Sequence, residues 1–533
     1  MEDSLAYAEA VAIEGDRIIF VGDKNKAMQF KDKHTRLIKR PNKMVLPGFI
    51  DSHVHLLWGG IEMKECQLSG LESKEEIVSN IKTYIERNPQ LNWIRGNGWS
   101  LPVFEDGNPS KYLLDEINNE KPMYFVSADG HSAWVNSKAL SIAGINELTE
   151  DPLNGRIERE KGVGSPSGVL REDAMALVEF IIPFYSKEQI LEGLFSSVKE
   201  ANKFGITSIL DAGTESINAK PSNQRPYDGL DAYQDATEQR KISLRVNASQ
   251  YVSPKTWRNE LKNIKKRRFE NSQGTMNTVK IFTDGVIEAG TAALLDPYKG
   301  TNNFGVLNWN PDTLKEAVSI IEKEGFQIHF HSIGDRAIRV TLDALEYAKN
   351  INGFKNTRHM ISHAQLIHPN DVKRFKTLEV IACFQPLWAY PDSYMKELTL
   401  PVLGPERSRW NYPINSIVST GARISAGSDW SVTSLNPLHG IEVAVTRREP
   451  GNISGDILFE KESVKLKSIL KAYTINGAFS LFKENEIGSI KKGKIADVIL
   501  LDKDLFKIPS HEIHQAKVIM TIFNGKIVYI DNI

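Results

Sequence analysis

The stretch that decides the fold is MVLPGFIDSHVHL, Met44 to Leu56. It is an apolar run that closes on two histidines, His53 and His55, two residues apart. In an extended strand, residues i and i+2 stand on one side, so both imidazoles face the same way at the C-terminal end of a strand Met44–His55. Two neutral imidazoles so placed can grip one cation. They can equally hydrogen-bond to each other in a polar pocket, and the spacing alone leaves both readings open.

Seven more apolar, β-branched runs follow: Ile206–Ala212, Leu244–Tyr251, Thr278–Thr283, Gln327–His331, His359–His363, Val380–Gln385 and Arg423–Ser428. Helical patterns or loops separate them, which predicts βα units and a parallel sheet. Eight such units predict a TIM-type (β/α)8 barrel. The interval Leu56–Gly205 is too long for one connection and is expected to be an insertion with its own structure. Within it, MYFVSADGHSAWVNSKAL (Met123–Leu140) reads as strand, loop, helix, with His131 at the turn. The chain ends differ from the middle. AEAVAIEGDRIIFVG alternates about a Gly15-Asp16 turn, a hairpin pattern. Ala496–Asp502, Lys517–Gly525 and Lys526–Ile530 read as strands joined by tight turns. The two ends are expected to pair into one small sheet domain.

Chemistry in such barrels sits at the C-terminal strand ends. The fifth strand, FQIHFHSIGD, ends near His331, with His329 deeper; the sixth, RHMISHAQ, ends at His363, with His359 deeper. The strand-end members are the ligand candidates, and the deeper ones are expected to be buried or to orient ligands. The eighth, RISAGSDW, places Asp429 where a carboxylate can bind metal, orient water and take its proton. The fourth, NTVKIFTDG, buries Lys280 among apolar residues. A lone buried ammonium is expensive. Either it pairs with Asp284 or Glu288, or carbon dioxide converts it to a carbamate, an anion able to bridge two metals.

Histidine pairs, lysine and aspartate on these strands resemble the ligand pattern of the amidohydrolase superfamily. More narrowly, the chain resembles the amidohydrolase 3, YtcJ-like group that includes N-substituted formamide deformylases. Supporting blocks are LPGFIDSHVHL (Leu46–Leu56), DGHSAWVNSKAL (Asp129–Leu140), VKIFTDG (Val279–Gly285), HSIGDRA (His331–Ala337), RHMISHAQ (Arg358–Gln365), AGSDW (Ala426–Trp430) and GSIKKGKIADVILLD (Gly488–Asp502). The resemblance implies an α/β fold: a distorted TIM barrel at 44–480, an insertion at about 60–200, and a β-sandwich built from 1–43 and 481–533. Relatives carry a further strand before AEAVAIEG, so that sandwich is expected to lack one here. The resemblance also implies a divalent metal centre, one or two ions and usually zinc, at His53, His55, Lys280, His331, His363 and Asp429, where Lys280 is either N6-carboxylysine or an unmodified amine. His131 matches an insertion histidine on the substrate side.

The implied reaction is metal-assisted hydrolysis of an amide or formamide C–N bond, with Asp429 as base and then acid, and His363 or His131 holding the carbonyl oxygen. The same ligand set serves deamination and ester, lactone or phosphoester hydrolysis, because a fold does not fix the scissile bond. A non-catalytic regulatory role is disfavoured, since all six positions carry competent residues. Trp58, Trp99, Phe104, Trp134, Trp388 and Trp430 lie beside these segments and would line an apolar pocket unless they are packing.

Composition narrows the rest. Lys plus Arg is 66 and Asp plus Glu is 67, a net charge of −1, so the basic excess of a nucleic-acid protein is absent. Two cysteines, Cys66 and Cys383, exclude a disulfide framework. No run approaches the ~20 apolar residues that span a bilayer. The first apolar stretch, Leu5–Ile13, is broken by Glu9 and has no basic leader. A cytoplasmic protein acting on a small molecule is expected, and a homodimer is compatible with the resemblance.

Overall fold

In the computed structural model, which describes residues 7–128, 130–152, 155–214 and 225–531, the stretch expected to be one strand from Met44 to His55 is two. Met44–Pro47 joins an antiparallel sheet of the chain ends, and Phe49–Val54 begins a parallel one. The break lies at Pro47-Gly48. Proline offers no N–H to a ladder. A Cβ at Gly48 would stand 2.3 Å from the Thr207 hydroxyl oxygen, so only glycine fits this crossing. The Gly48 N–H donates instead to the Asp497 carbonyl at 2.9 Å.

Eight parallel strands lie side by side in sequence order: Phe49–Val54, Ile206–Asp211, Arg245–Tyr251, Gly274–Phe282, Gln327–Ser332, Met360–His363, Ile381–Phe384 and Ile424–Ala426. They are numbered first to eighth below. The eighth returns to the first, where the Asp429 N–H donates to the His53 carbonyl and the His55 N–H to the Trp430 carbonyl, both at 2.8 Å. The sheet is thus a nearly closed barrel, as eight βα repeats predict. Its floor is apolar, with Ile50, Leu210, Met360 and Ile381 packed against Ala478 and Leu481.

The chain ends form two sheets rather than the one that was expected. Ala10–Glu14 and Arg17–Gly22 form the hairpin, and Met44–Pro47, Val498–Leu501, Val518–Phe523 and Lys526–Ile530 form a four-stranded antiparallel sheet. Ile18 of the hairpin packs on Ala496 and Val498, and its N–H donates to the Lys494 carbonyl at 2.9 Å.

The chain divides into two compact units: Met1–His55, Val198–Glu215 and Tyr233–Ile533 in one, Leu56–Ser197 and Ser216–Ala232 in the other. The second unit has its own six-stranded sheet with a core on each face. The two-residue strand period sends Met123 and Phe125 to one core with Trp134, and Tyr124 to the other with Ala133 and Val135. Met123–Leu140 differs from the expected strand, loop, helix. Met123–Ser127 pairs antiparallel with Ser132–Val135, and only then does the helix Ser137–Ala143 begin, capped by the Asn136 side chain. The alternating run Ser132–Val135 is a strand in its own right rather than part of the loop and helix, and Asp129 lies outside the described residues. Among the described residues no helix is long and apolar enough to cross a membrane.

Candidate metal centre

The mouth of the barrel gathers five strand ends. His53 Nε2 lies 3.3 Å from Asp429 Oδ1, and His55 Nε2 lies 3.5 Å from the same oxygen. One ligand atom from each of these three falls within 4.8 Å of the others. From the sixth strand, the His363 ring stands edge-on to His53 with centroids 4.8 Å apart, and its Nδ1 is 3.9 Å from Asp429 Oδ2. His331 adjoins His363 at 4.5 Å between centroids. Lys280 is fully buried in the fourth strand, level with His329, its Nζ 4.9 Å from the Phe282 ring centroid. These are the six candidate metal-site residues read from the sequence; Lys280 lies deeper than the strand-end His331.

The electrostatics suit metal donors. Burial, and then the Lys280 charge, hold the His53 pKa well below its usual value; burial and the neighbouring His331 do the same for His363. Both rings are therefore neutral imidazoles, the form that ligates metal. Asp429 Oδ1 and His363 Nδ1 are buried without a hydrogen-bond partner. Such orphans are rare in folded proteins and call for an explanation. A divalent cation between carboxylate and imidazoles explains both at once, so the residues present fit such an ion. The backbone agrees. His363 (φ 68°) and Asp429 (φ 54°) sit in the left-handed region, which costs non-glycine residues about 1–3 kcal/mol each and persists mainly at functional sites.

The deeper histidines separate. His329 Nε2 lies 2.8 Å from His53 Nδ1 and bonds the Ser362 hydroxyl, so it braces the far side of the His53 ring. His359 lies at the floor, where its Nδ1 accepts the Ile328 N–H at 3.0 Å and its Nε2 faces Glu322 Oε1 at 3.1 Å. The carboxylates considered for Lys280 have other bonds. Asp284 accepts the N–H groups of Ala293, Ile333 and Gly334 at 2.8–3.0 Å, and Glu288 accepts from the Thr399 hydroxyl.

His131 belongs to the second unit, its Nδ1 3.0 Å from Glu172 Oε2. Trp99, Phe104 and Trp134 are core of that unit, and the Trp99 and Trp134 indoles donate to the Phe125 and Ser110 carbonyls. For these three, packing is the structural role. Trp388 behaves differently: its ring stacks on His363, 5.3 Å away and 6° from parallel. Two residues at this mouth escaped the sequence reading, Ser362 and the buried Gln385. For Gln385 the signal was present, a polar side chain closing the apolar run VIACF, as histidine and aspartate close the others.

Known proteins resemble this chain in sequence and in fold. Protein LONG AFTER FAR-RED 3 of Arabidopsis thaliana is 32% identical over 539 aligned residues, covering 99% of this chain and 89% of that protein. N-substituted formamide deformylase of Arthrobacter pascens is 25% identical, covering 98% of this chain and 95% of that one. The crystal structure of an uncharacterized metal-dependent hydrolase from Pyrococcus furiosus has the same fold, with a TM-score of 0.73 over 93% of this chain and 95% of that chain at 24% identity. The sequence model of the Amidohydrolase family matches residues 41–529, and the chain belongs to that family of hydrolases.

Proposed function

We propose that the protein hydrolyses the C–N bond of an amide or N-substituted formamide, with Asp429 as general base and then general acid. The observation that carries this reading is the free, buried Asp429 Oδ1 beside His53 and His55. His53, His55, Lys280, His331, His363 and Asp429 would hold one or two divalent ions, and zinc suits this nitrogen and oxygen donor set. A bound cation of this kind polarises a carbonyl and makes water acidic enough to ionise near neutral pH. Asp429 takes a proton from the attacking water and passes it to the leaving nitrogen. His363, stacked on Trp388, is the candidate donor toward the carbonyl oxygen, with His131, which matches an insertion histidine of the family pattern, as the alternative. Lys280 as a carbamate presents an anion rather than a buried ammonium to the cluster. The name of the Arthrobacter pascens relative supports a formamide substrate.

The test pairs metal analysis with a substrate panel of N-alkylformamides, simple amides, esters and lactones. Amine release by metal-loaded protein, lost on chelation and regained with zinc, supports the reading. Metal-loaded protein that cleaves esters or lactones and releases no amine from any amide rejects it.

A further inference from the structure

The seventh strand supplies no member of the ligand set, yet its end carries the most conspicuous polar anomaly of the mouth. Gln385 follows Phe384 there, fully buried, and neither its side-chain nitrogen nor its oxygen has a hydrogen-bond partner. Buried primary amides ordinarily satisfy both groups. The neighbouring orphans, Asp429 Oδ1 and His363 Nδ1, belong to groups that face a ligand in the reading above.

The direction of the side chain follows from the strand. Two residues earlier, the Cys383 thiol donates to the Ser52 carbonyl of the first strand at 3.6 Å. The eighth strand separates the seventh from the first around the sheet, so Cys383 makes this contact through the barrel interior. Alternation puts Gln385 on the same inner face. The register gives its height. Ser362 pairs with Cys383 and Phe384 with Ala426, so Gln385 stands one step beyond His363 and two short of Asp429. An unfilled donor and an unfilled acceptor therefore stand on the inner wall between the two.

We propose that Gln385 is a specificity-determining residue whose Oε1 accepts the substrate's amide N–H. The site then takes amides that carry an N–H in preference to isosteric esters, which leave that buried oxygen empty. This deepens the C–N hydrolase reading and rests on it. Sites built to hydrogen-bond an N–H or O–H discriminate strongly against analogues lacking it, because the buried partner is left unpaired.

The test uses N-butylformamide and its isostere butyl formate on full-length, metal-loaded protein. Dissociation constants come from ligand-observed NMR, and hydrolysis is followed in the same samples. Wild-type protein should bind the formamide at least about tenfold more tightly, and Gln385→Met should bring the ratio to about one while keeping its metal and melting temperature. Gln385→Asn, which withdraws the amide by one methylene, should give the same loss and serves if the methionine variant does not fold. Equal binding of the two probes by wild type, binding of neither, or a preference that survives both substitutions overturns the proposal. Failure of the C–N reading looks different: the formamide binds preferentially and no butylamine appears.

Discussion

The floor and the mouth of the barrel use the same pair of side chains, histidine and carboxylate, to opposite ends. At the floor, His359 Nδ1 accepts the Ile328 N–H, its Nε2 faces Glu322 Oε1, and the other Glu322 oxygen accepts the Asn352 amide at 2.9 Å. At the mouth, Asp429 Oδ1 and His363 Nδ1 are as well buried and make no hydrogen bond. A saturated buried pair fastens elements together; removing a partner leaves a stranded group, which costs about 1–3 kcal/mol. An unsaturated pair is held open by the rest of the fold, and its backbone carries the strain.

The largest effect expected from this contrast is at Asp429. Asp429→Asn keeps the shape and tolerates the left-handed backbone, because asparagine enters that region readily. It removes the base, so kcat should fall by about 10²–10⁴-fold with the melting temperature nearly unchanged. A variant that keeps full activity would end the proposed mechanism.

Lys280 comes next. Lys280→Ala should lose metal and most activity, and short carboxylic acids added from solution should restore part of both by replacing the carbamate oxygens. Lys280→Arg should not restore them, since guanidinium is a permanent cation. If arginine substitutes well and acids do nothing, Lys280 acts as an ammonium. Metal content by plasma emission and initial rates read all three variants.

Exchanging the mutation between the two regions tests the comparison directly. His363→Gln should lose metal and change the urea midpoint little. His359→Gln should keep metal and lose about 1–3 kcal/mol of stability, because it strands the buried Glu322 carboxylate. The reverse pattern would show that burial without a partner is no guide to the site. His329→Gln falls between, keeping the fold and weakening metal binding by about 10–100-fold through loss of its brace on His53.

The strand-end rule made most of the candidate ligand set legible because it needs only local information. An apolar run predicts a strand, its direction predicts the mouth, and a polar residue closing it predicts the site. It distinguished strand-end from deeper histidines but could not tell His329 from His359. What separates them is Glu322 in the helix Pro311–Lys323, and no local spacing announces that this carboxylate meets His359. The broken first strand was legible in principle at Pro47-Gly48, but the crossing with Thr207 that requires glycine is tertiary. Trp99 and Trp134 stayed undecided between pocket and packing for the same reason, since an aromatic near a motif and an aromatic in a core look alike until the second sheet is built.

The smallest effect expected is also the sharpest limit on the comparison, because it concerns a carboxylate beyond a strand end that is saturated. Asp284 follows the fourth strand, is fully buried, and accepts three backbone N–H groups. By the rule drawn above it fastens the loops after the fourth and fifth strands and is no ligand, so Asp284→Asn should keep its metal. Burial pushes its pKa up to about 7 from an ordinary 3.8, although the three N–H groups pull the other way. The sign follows from proton counting. From the unfolded value up to about 7, the folded chain holds a proton that the unfolded chain has lost, so stability from this group is full in acid and falls as pH rises. Asparagine does not titrate and lacks that slope. Asp284→Asn should therefore cost more stability at about pH 5 than at about pH 8, measured by urea unfolding of metal-loaded protein. A deficit that grows with pH instead would mean that the three N–H groups outweigh burial and that Asp284 is an anion, saturated by hydrogen bonds alone.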